Sequence, residues 1–136
     1  MEEILTQLRA ALMAHTALPV YFSYDPSPFD QRKTQFLVLG VESMEMQPSF
    51  LTDTHLCRGF SMRFRVSHCM PAETDMAAVY TAFHSEVLEG MLAGAEMQEI
   101  RSGTPAEIRQ LRRMVLHGTF SLSGVLKTTR EEISAQ

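Results

Sequence analysis

The chain is 136 residues long, 45% apolar and 21% charged, proportions of a globular domain and not of a disordered or fibrous one. A formal charge of −4 lacks the basic excess of most nucleic-acid binders, so no specific nucleic-acid binding is expected. No apolar run nears the roughly 18 residues that cross a bilayer, so no membrane partner is expected either. Two cysteines make no disulfide framework, and MEEILTQLRAALMAH has neither the basic nor the long apolar region of a signal peptide, so the expected setting is a cytoplasm.

Residues 2–15 place Ile4, Leu5, Leu8, Ala11 and Leu12 at helical spacing, with Gln7 and Arg9 outward, and the helix should stop before Pro19. VYFSY (20–24) reads as a strand and DPSPFDQRK (25–33) as an exposed loop. TQFLVLGVESMEM (34–46) opens apolar at both parities, as a strand covered on both sides would, and becomes alternating toward Met46; QPSFLTDTH (47–55) reads as a second loop. CRGFSMRFRVSHCMP (57–71) then has a period of two. Phe60, Met62, Phe64 and Val66 share one face, flanked by Arg58 and His68, while Gly59, Ser61, Arg63, Arg65 and Ser67 share the other.

From Thr74, a candidate N-cap, to about Leu92 the helical period returns, with Met76, Val79, Tyr80, Phe83, Val87 and Met91 in one stripe and Leu88 beside it. EMQEIRS (96–102) reads as a strand. TPAE (104–107) has the pattern of a capping box opening a short helical turn through Arg112. MVLHGTFSLSGVLK (114–127) sets Met114, Leu116, Phe120, Leu122 and Leu126 against His117, Thr119, Ser121, Ser123 and Lys127, mirroring the earlier long strand as a neighbour would. The expectation is a single α+β domain over residues 1–136 with a loosely held tail from about 128. It has a mainly antiparallel, twisted sheet of about five strands and two amphipathic helices on its apolar face.

The rare residue types of residues 57–71 invite a catalytic reading, which spacing opposes. His68 and Cys69 are adjacent on a strand and project to opposite faces. Cys57 and Cys69, 12 residues apart in the sequence, stand roughly 40 Å apart at the usual rise. They share neither a metal nor a disulfide, although His55 and Cys57 have the same parity. His84 and Glu86, two apart on a helix, face different ways. No phosphate loop, dinucleotide motif or metal-ligand spacing is present, so catalytic, cofactor and metal residues are all expected to be none. RQLRR (109–113) is the one basic cluster, a solvated or interface face in an acidic chain. Arg63 and Arg65 on the polar face are candidate oligomer-interface residues, with Glu42 and Glu45 of the preceding strand, or a neighbour's acidic N-terminal helix, as partners.

The opening EEILTQLRAALMAHTALPVYF, the strand FSMRFRVSHCMP running directly into an amphipathic helix, the closing strand GTFSLSGVL and the overall length resemble the phage tail-terminator and tail-completion family, minor tail proteins that cap a tail tube. The resemblance spans nearly all of the chain and carries no chemical signature. It implies a non-enzymatic, ring-forming subunit, possibly a hexamer, in a phage or prophage virion tail or in the host cytoplasm during assembly. Its partners would be copies of itself, tail-tube proteins and head-completion proteins. A small enzyme and a ligand-binding α+β module remain as readings from other classes.

Overall fold

In a computed structural model, residues 2–24, 35–109 and 112–129 are described. Helix α1 (Glu2–His15) follows the sequence periodicity and buries Leu5, Leu8 and Leu12. Gln7 is exposed, but Arg9 does not simply face outward. Its guanidinium lies 4.7 Å from the centre of the Phe22 ring, covering an aromatic face at the sheet margin.

The chain then enters one mixed sheet, ordered β1-β2-β3-β6-β4 with β5 also on β6. Strand β1 (Val20–Phe22) runs parallel to β2 (Phe36–Leu51), with Val20 opposite Leu37. The other pairings are antiparallel. Strand β3 (His55–Pro71) lies between β2 and β6 (Arg113–Thr129), and the mirrored patterns of β3 and β6 pair from His55–Thr129 to Pro71–Arg113. Strands β4 (Glu99–Ser102) and β5 (Ala106–Ile108) follow one another along the far edge of β6. The architecture is thus α+β, with six strands and a parallel edge pair among the described residues where about five mainly antiparallel strands are expected.

Four local expectations are corrected. Residues 106–108 are a strand and not a helical turn. A lone turn carries the cost of nucleation for one hydrogen bond, whereas β6 offers a ready edge ladder. Residues 47–51 are strand and not loop: β2 continues to Leu51, and its register shift between Met46 and Ser49 places Pro48, which has no N–H to donate, in a bulge. The turn to β3 takes only residues 52–54, where Thr52 N–H donates to His55 O at 2.8 Å. The side chains toward Met46 do alternate, with Met44 and Met46 facing the helix side and Ser43 and Glu45 the open face, but the alternation marks no covered face, because every residue from Val41 to Thr54 is exposed. Asp75, not Thr74, caps the second helix, its Oδ1 accepting from Ala78 N–H at 3.0 Å. The loop at 25–33 and the tail from 130 lie outside the described residues, as does the side chain of Leu126.

That second helix is α2 (Met76–Phe83), a π-helical turn (His84–Leu88) and α3 (Glu89–Gly94) in continuous succession. Val79, Phe83, Val87 and Met91 are buried, whereas Met76 and Tyr80, expected in the same stripe, are exposed. Residues four apart drift by about 40° per step around an α-helix, and one wider turn absorbs that drift and holds the four on one line. The end of α1 supports the turn. His15 Nε2 lies 2.6 Å from Ser85 O, so it must carry the proton, and Thr16 Oγ1 donates to Glu86 Oε2.

Both helices cover one side of the sheet. Leu37, Leu39, Phe60, Met62, Phe64, Val66, Leu116, Phe120 and Leu122 meet Leu5, Leu8, Leu12, Val79, Phe83, Val87 and Met91 in one cluster. Phe83 seats over Gly118, where a Cβ would lie 2.3 Å from the Phe83 ring. Residues 41–51 of β2 are exposed, although Phe60, Met62 and Phe64 of the facing strand stay buried, and this far part of the sheet, paired to residues 56–64 of β3, is an arm about 26 Å long at the usual strand rise.

Candidate functional site

The face of the sheet away from the helices carries the side chains singled out from the sequence. Period-two alternation places Ser61, Arg63, Arg65, Ser67 and Cys69 of β3 there, beside His117, Thr119, Ser121 and Ser123 of β6. Arg63 and Arg65 are exposed, as expected.

A bulge determines what Arg65 meets. The register runs from Val41–Phe64 to Ser43–Arg63, so Glu42 has no partner across the ladder. It turns to Arg65, whose Nη2 lies 3.6 Å from Glu42 Oε1, both side chains being partly exposed. A pair this exposed contributes on the order of 0–1 kcal/mol, so it orients the guanidinium more than it stabilises the fold. Next to it Ser67 Oγ and His117 Nδ1 are 2.7 Å apart. Burial holds the His117 pKa below the usual value, the Arg65 charge adds to that shift, and Glu42 opposes it. Ser23, Gly40, Glu42, Arg65, Ser67 and His117 line a shallow depression of about 330 Å³.

Arg63 and Glu45 have a different setting. Arg63 is level with Ser43 and Ser121, and Glu45 with Ser61, and neither makes an ion pair with the described residues. They line a second open groove, of about 430 Å³, along the arm. Of the four candidate interface residues, two therefore satisfy each other within the chain, and two have no ion-pair partner among the described residues.

The nucleophile–base pair does not form. His68 points into the helix-side core between Leu37 and Leu116, with 0% exposure. Its Nε2 is 3.4 Å from Gln35 Oε1, and its Nδ1 has no hydrogen-bond partner among the described residues. Burial pushes its pKa down to about 4, opposed by Glu86. Cys69 points the other way into a small buried cluster with Phe36, Val38 and Val115. Burial drives its thiol up to about 12, with Arg113 acting weakly against that, so a thiolate is not available near neutrality. Both cysteines are free and buried near opposite ends of β3. His55, of the same parity as Cys57, is hydrogen-bonded to Thr54 Oγ1 at 2.6 Å.

No group of three or more His, Cys, Asp or Glu among the described residues can hold a metal ion, and no helix among them is long and apolar enough to cross a membrane. His84 is exposed, 3.9 Å from Glu89, while Glu86 turns inward to Thr16. The basic run 109–113 does not form one face: Arg109 and Arg112 are exposed, Arg113 is buried with its guanidinium 5.4 Å from the Phe36 ring centre, and residues 110–111 lie outside the described part. The link from Thr16 through Glu86 toward His68 has no sequence signal, since its members are 70 and 18 positions apart and meet only when α1 reaches the π-helical turn.

The arm is the other feature of the site. Val41, Met44, Met46, Phe50, Leu51 and Val125 are exposed on it, Phe50 to 52% and Leu51 to 65%. Large apolar side chains gathered on an uncovered projection mark contact surfaces, and methionines adapt to irregular partners. The chain matches no family model and no curated protein sequence.

Proposed function

We propose that the chain is a ring-forming structural subunit of a phage or prophage tail, of the tail-terminator kind whose element order it resembles. In this reading the ring caps the tail tube and presents a surface for joining to the head. The observation that carries the proposal is the outer strand of the arm, which holds Val41, Met44, Met46, Phe50 and Leu51 in water, with Arg63 and Glu45 beside it lacking an ion-pair partner among the described residues. An isolated chain gains nothing from holding these groups in water, whereas a neighbouring copy would cover them. Head-to-tail contact between two different surfaces of one chain generates a ring when the rotation closes.

Sedimentation velocity on charge-reversal variants tests the reading. Arg63→Glu should weaken self-association about tenfold or more by placing like charges together. Arg65→Glu should act less, since Arg65 is already matched by Glu42 within the chain. Equal and negligible effects of the two reversals on self-association would remove the open face from the contact.

A further inference from the structure

We infer that the depression beside Gly40 on the open face binds the carboxylate of a small aliphatic ligand, held between Arg65 and the Ser67–His117 pair. It lies where β1 joins β2, beside the start of the arm. The inference goes beyond the ring reading and does not depend on it.

Local structure brings three strands together here. Gly40 is level with Arg65 of β3, and a Cβ on Gly40 would lie 2.5 Å from Ser23 Oγ, so the missing side chain lets the hydroxyl at the end of β1 lean over the sheet. Val38, 4% exposed, and Val41 supply the apolar part of the lining. A volume of about 330 Å³ is at the small end of ligand-binding cavities and suits a ligand of few atoms.

Two sets of donors face this space. Arg65 is the first. Its Nη2 is 3.6 Å from Glu42 Oε1, a separation at which charges attract but no normal hydrogen bond forms. The planar fork of N–H groups is therefore not saturated by Glu42, and such a fork grips a carboxylate with two parallel bonds. The second set is the Ser67–His117 pair, 2.7 Å apart across β3 and β6. While the ring is neutral, one hydrogen is left over whichever partner donates: Nε2–H of His117 if the hydroxyl donates, or O–H of Ser67 if Nδ1 donates. A protonated ring leaves both and adds a charge, so it holds an anion better than the neutral ring does.

Charge selects the class of ligand. Among the described residues, the charged and titratable side chains on the open face around His117 are Glu42 of β2, Arg65 of β3, Arg101 and Glu99 of β4, and Tyr21 of β1. Arg101 and Glu99 pair with one another, and Tyr21 turns to the Phe36 ring. Burial and then Arg65 hold the His117 pKa below its ordinary value, against Glu42, so the empty site contains Arg65, Glu42 and a neutral ring near neutrality. A carboxylate between the two basic groups favours protonation of His117, and two cations then face two carboxylates with no net charge left over. A dianion would leave excess negative charge beside Glu42, and an ammonium group would meet Arg65. The aliphatic part of the ligand rests on Val38 and Val41.

Calorimetric titration of the full chain with butyrate at low salt tests the site. The expected result is saturable one-to-one binding at about pH 6 that weakens toward about pH 8, by at most tenfold per unit for one coupled proton. Butanamide, its uncharged counterpart, should give no binding heat. Arg65→Gln should weaken binding about tenfold or more, and the affinity of His117→Gln should no longer change with pH. Arg58→Gln, at the far end of β3 where Arg58 Nε donates to Ser49 Oγ, should bind as the wild type does. N-acetylvaline carries the same carboxylate behind a peptide bond. Either order of affinity supports the site, butyrate the tighter pointing to a free acid and N-acetylvaline the tighter to a chain end. The Arg65 side chain is half exposed, so Arg65→Gln decides alone if His117→Gln does not fold. No saturable binding of butyrate by the wild type at about pH 6, wild-type affinity in Arg65→Gln, or an unchanged pH dependence in His117→Gln would each overturn the site.

Discussion

His68 is the residue whose behaviour departs furthest from its type. It lies among apolar side chains on the helix side of β3, with no hydrogen-bond partner at Nδ1 among the described residues, and burial holds its pKa near 4. The folded value is below the unfolded one of 6.5, so as pH falls through 6.5 the unfolded chain takes a proton that the folded chain refuses. Stability from this group is therefore undiminished above 6.5 and is lost between 6.5 and 4, amounting to about 3 kcal/mol by the lower limit. Urea unfolding across that range should show the decline in the wild type and a smaller one in His68→Leu, and parallel curves would show that His68 does not titrate this way. The strand pattern made the facing of His68 and Cys69 legible, since parity alone separates them. It did not show that the C-terminal end of β3, Val66–Met70, is buried on both faces, because Phe36, Val38 and Val115, which bury Cys69, come from two other strands. Arg9 and Arg113 were misjudged for a related reason: each guanidinium lies over an aromatic ring that sequence spacing does not bring near it.

At the scale of elements, packing depends on close approach between the helix layer and the sheet. Gly118 faces the helices beneath Phe83, and an added Cβ would fall 2.3 Å from Phe83 Cζ and 3.1 Å from the Phe120 ring. Both rings are packed in the core and cannot swing clear, so Gly118→Ala should cost about 1–3 kcal/mol, measured by chemical denaturation. An unchanged midpoint would mean that the helix sits farther from the sheet. Long elements with strong periodicity were readable: α1, β3 and β6 have the bounds or pairings their patterns imply. Short elements were not, because tertiary pairing overrode local chemistry. The capping-box pattern at 104–107 yielded to the edge of β6, and Pro48 was accommodated in a bulge instead of ending β2. The π-helical turn has a faint signal in the four-residue spacing of Val79, Phe83, Val87 and Met91, intelligible once the helix is seen packed on the sheet.

For the whole molecule, the sheet is longer than its helices can cover, and that mismatch is the basis of the functional proposal. The core runs under β3 as far as Phe60, while the far part of β2 and β6 carries Met44, Met46, Phe50, Leu51 and Val125 into solvent, with both outer edges unpaired among the described residues. The polar face and its arginines were legible as alternation, and so was the possibility that Glu42 meets Arg65. The arm itself was not, because residues 47–51 carry loop-forming types and nothing in a single sequence shows where helices end above a sheet. Imaging the purified chain by electron microscopy, with particle masses taken on the same sample, tests the central claim most directly. The account predicts closed rings of one size containing more than two copies, with rotational symmetry in averaged views. A strict monomer at every concentration, or a dimer that grows no further, would contradict it.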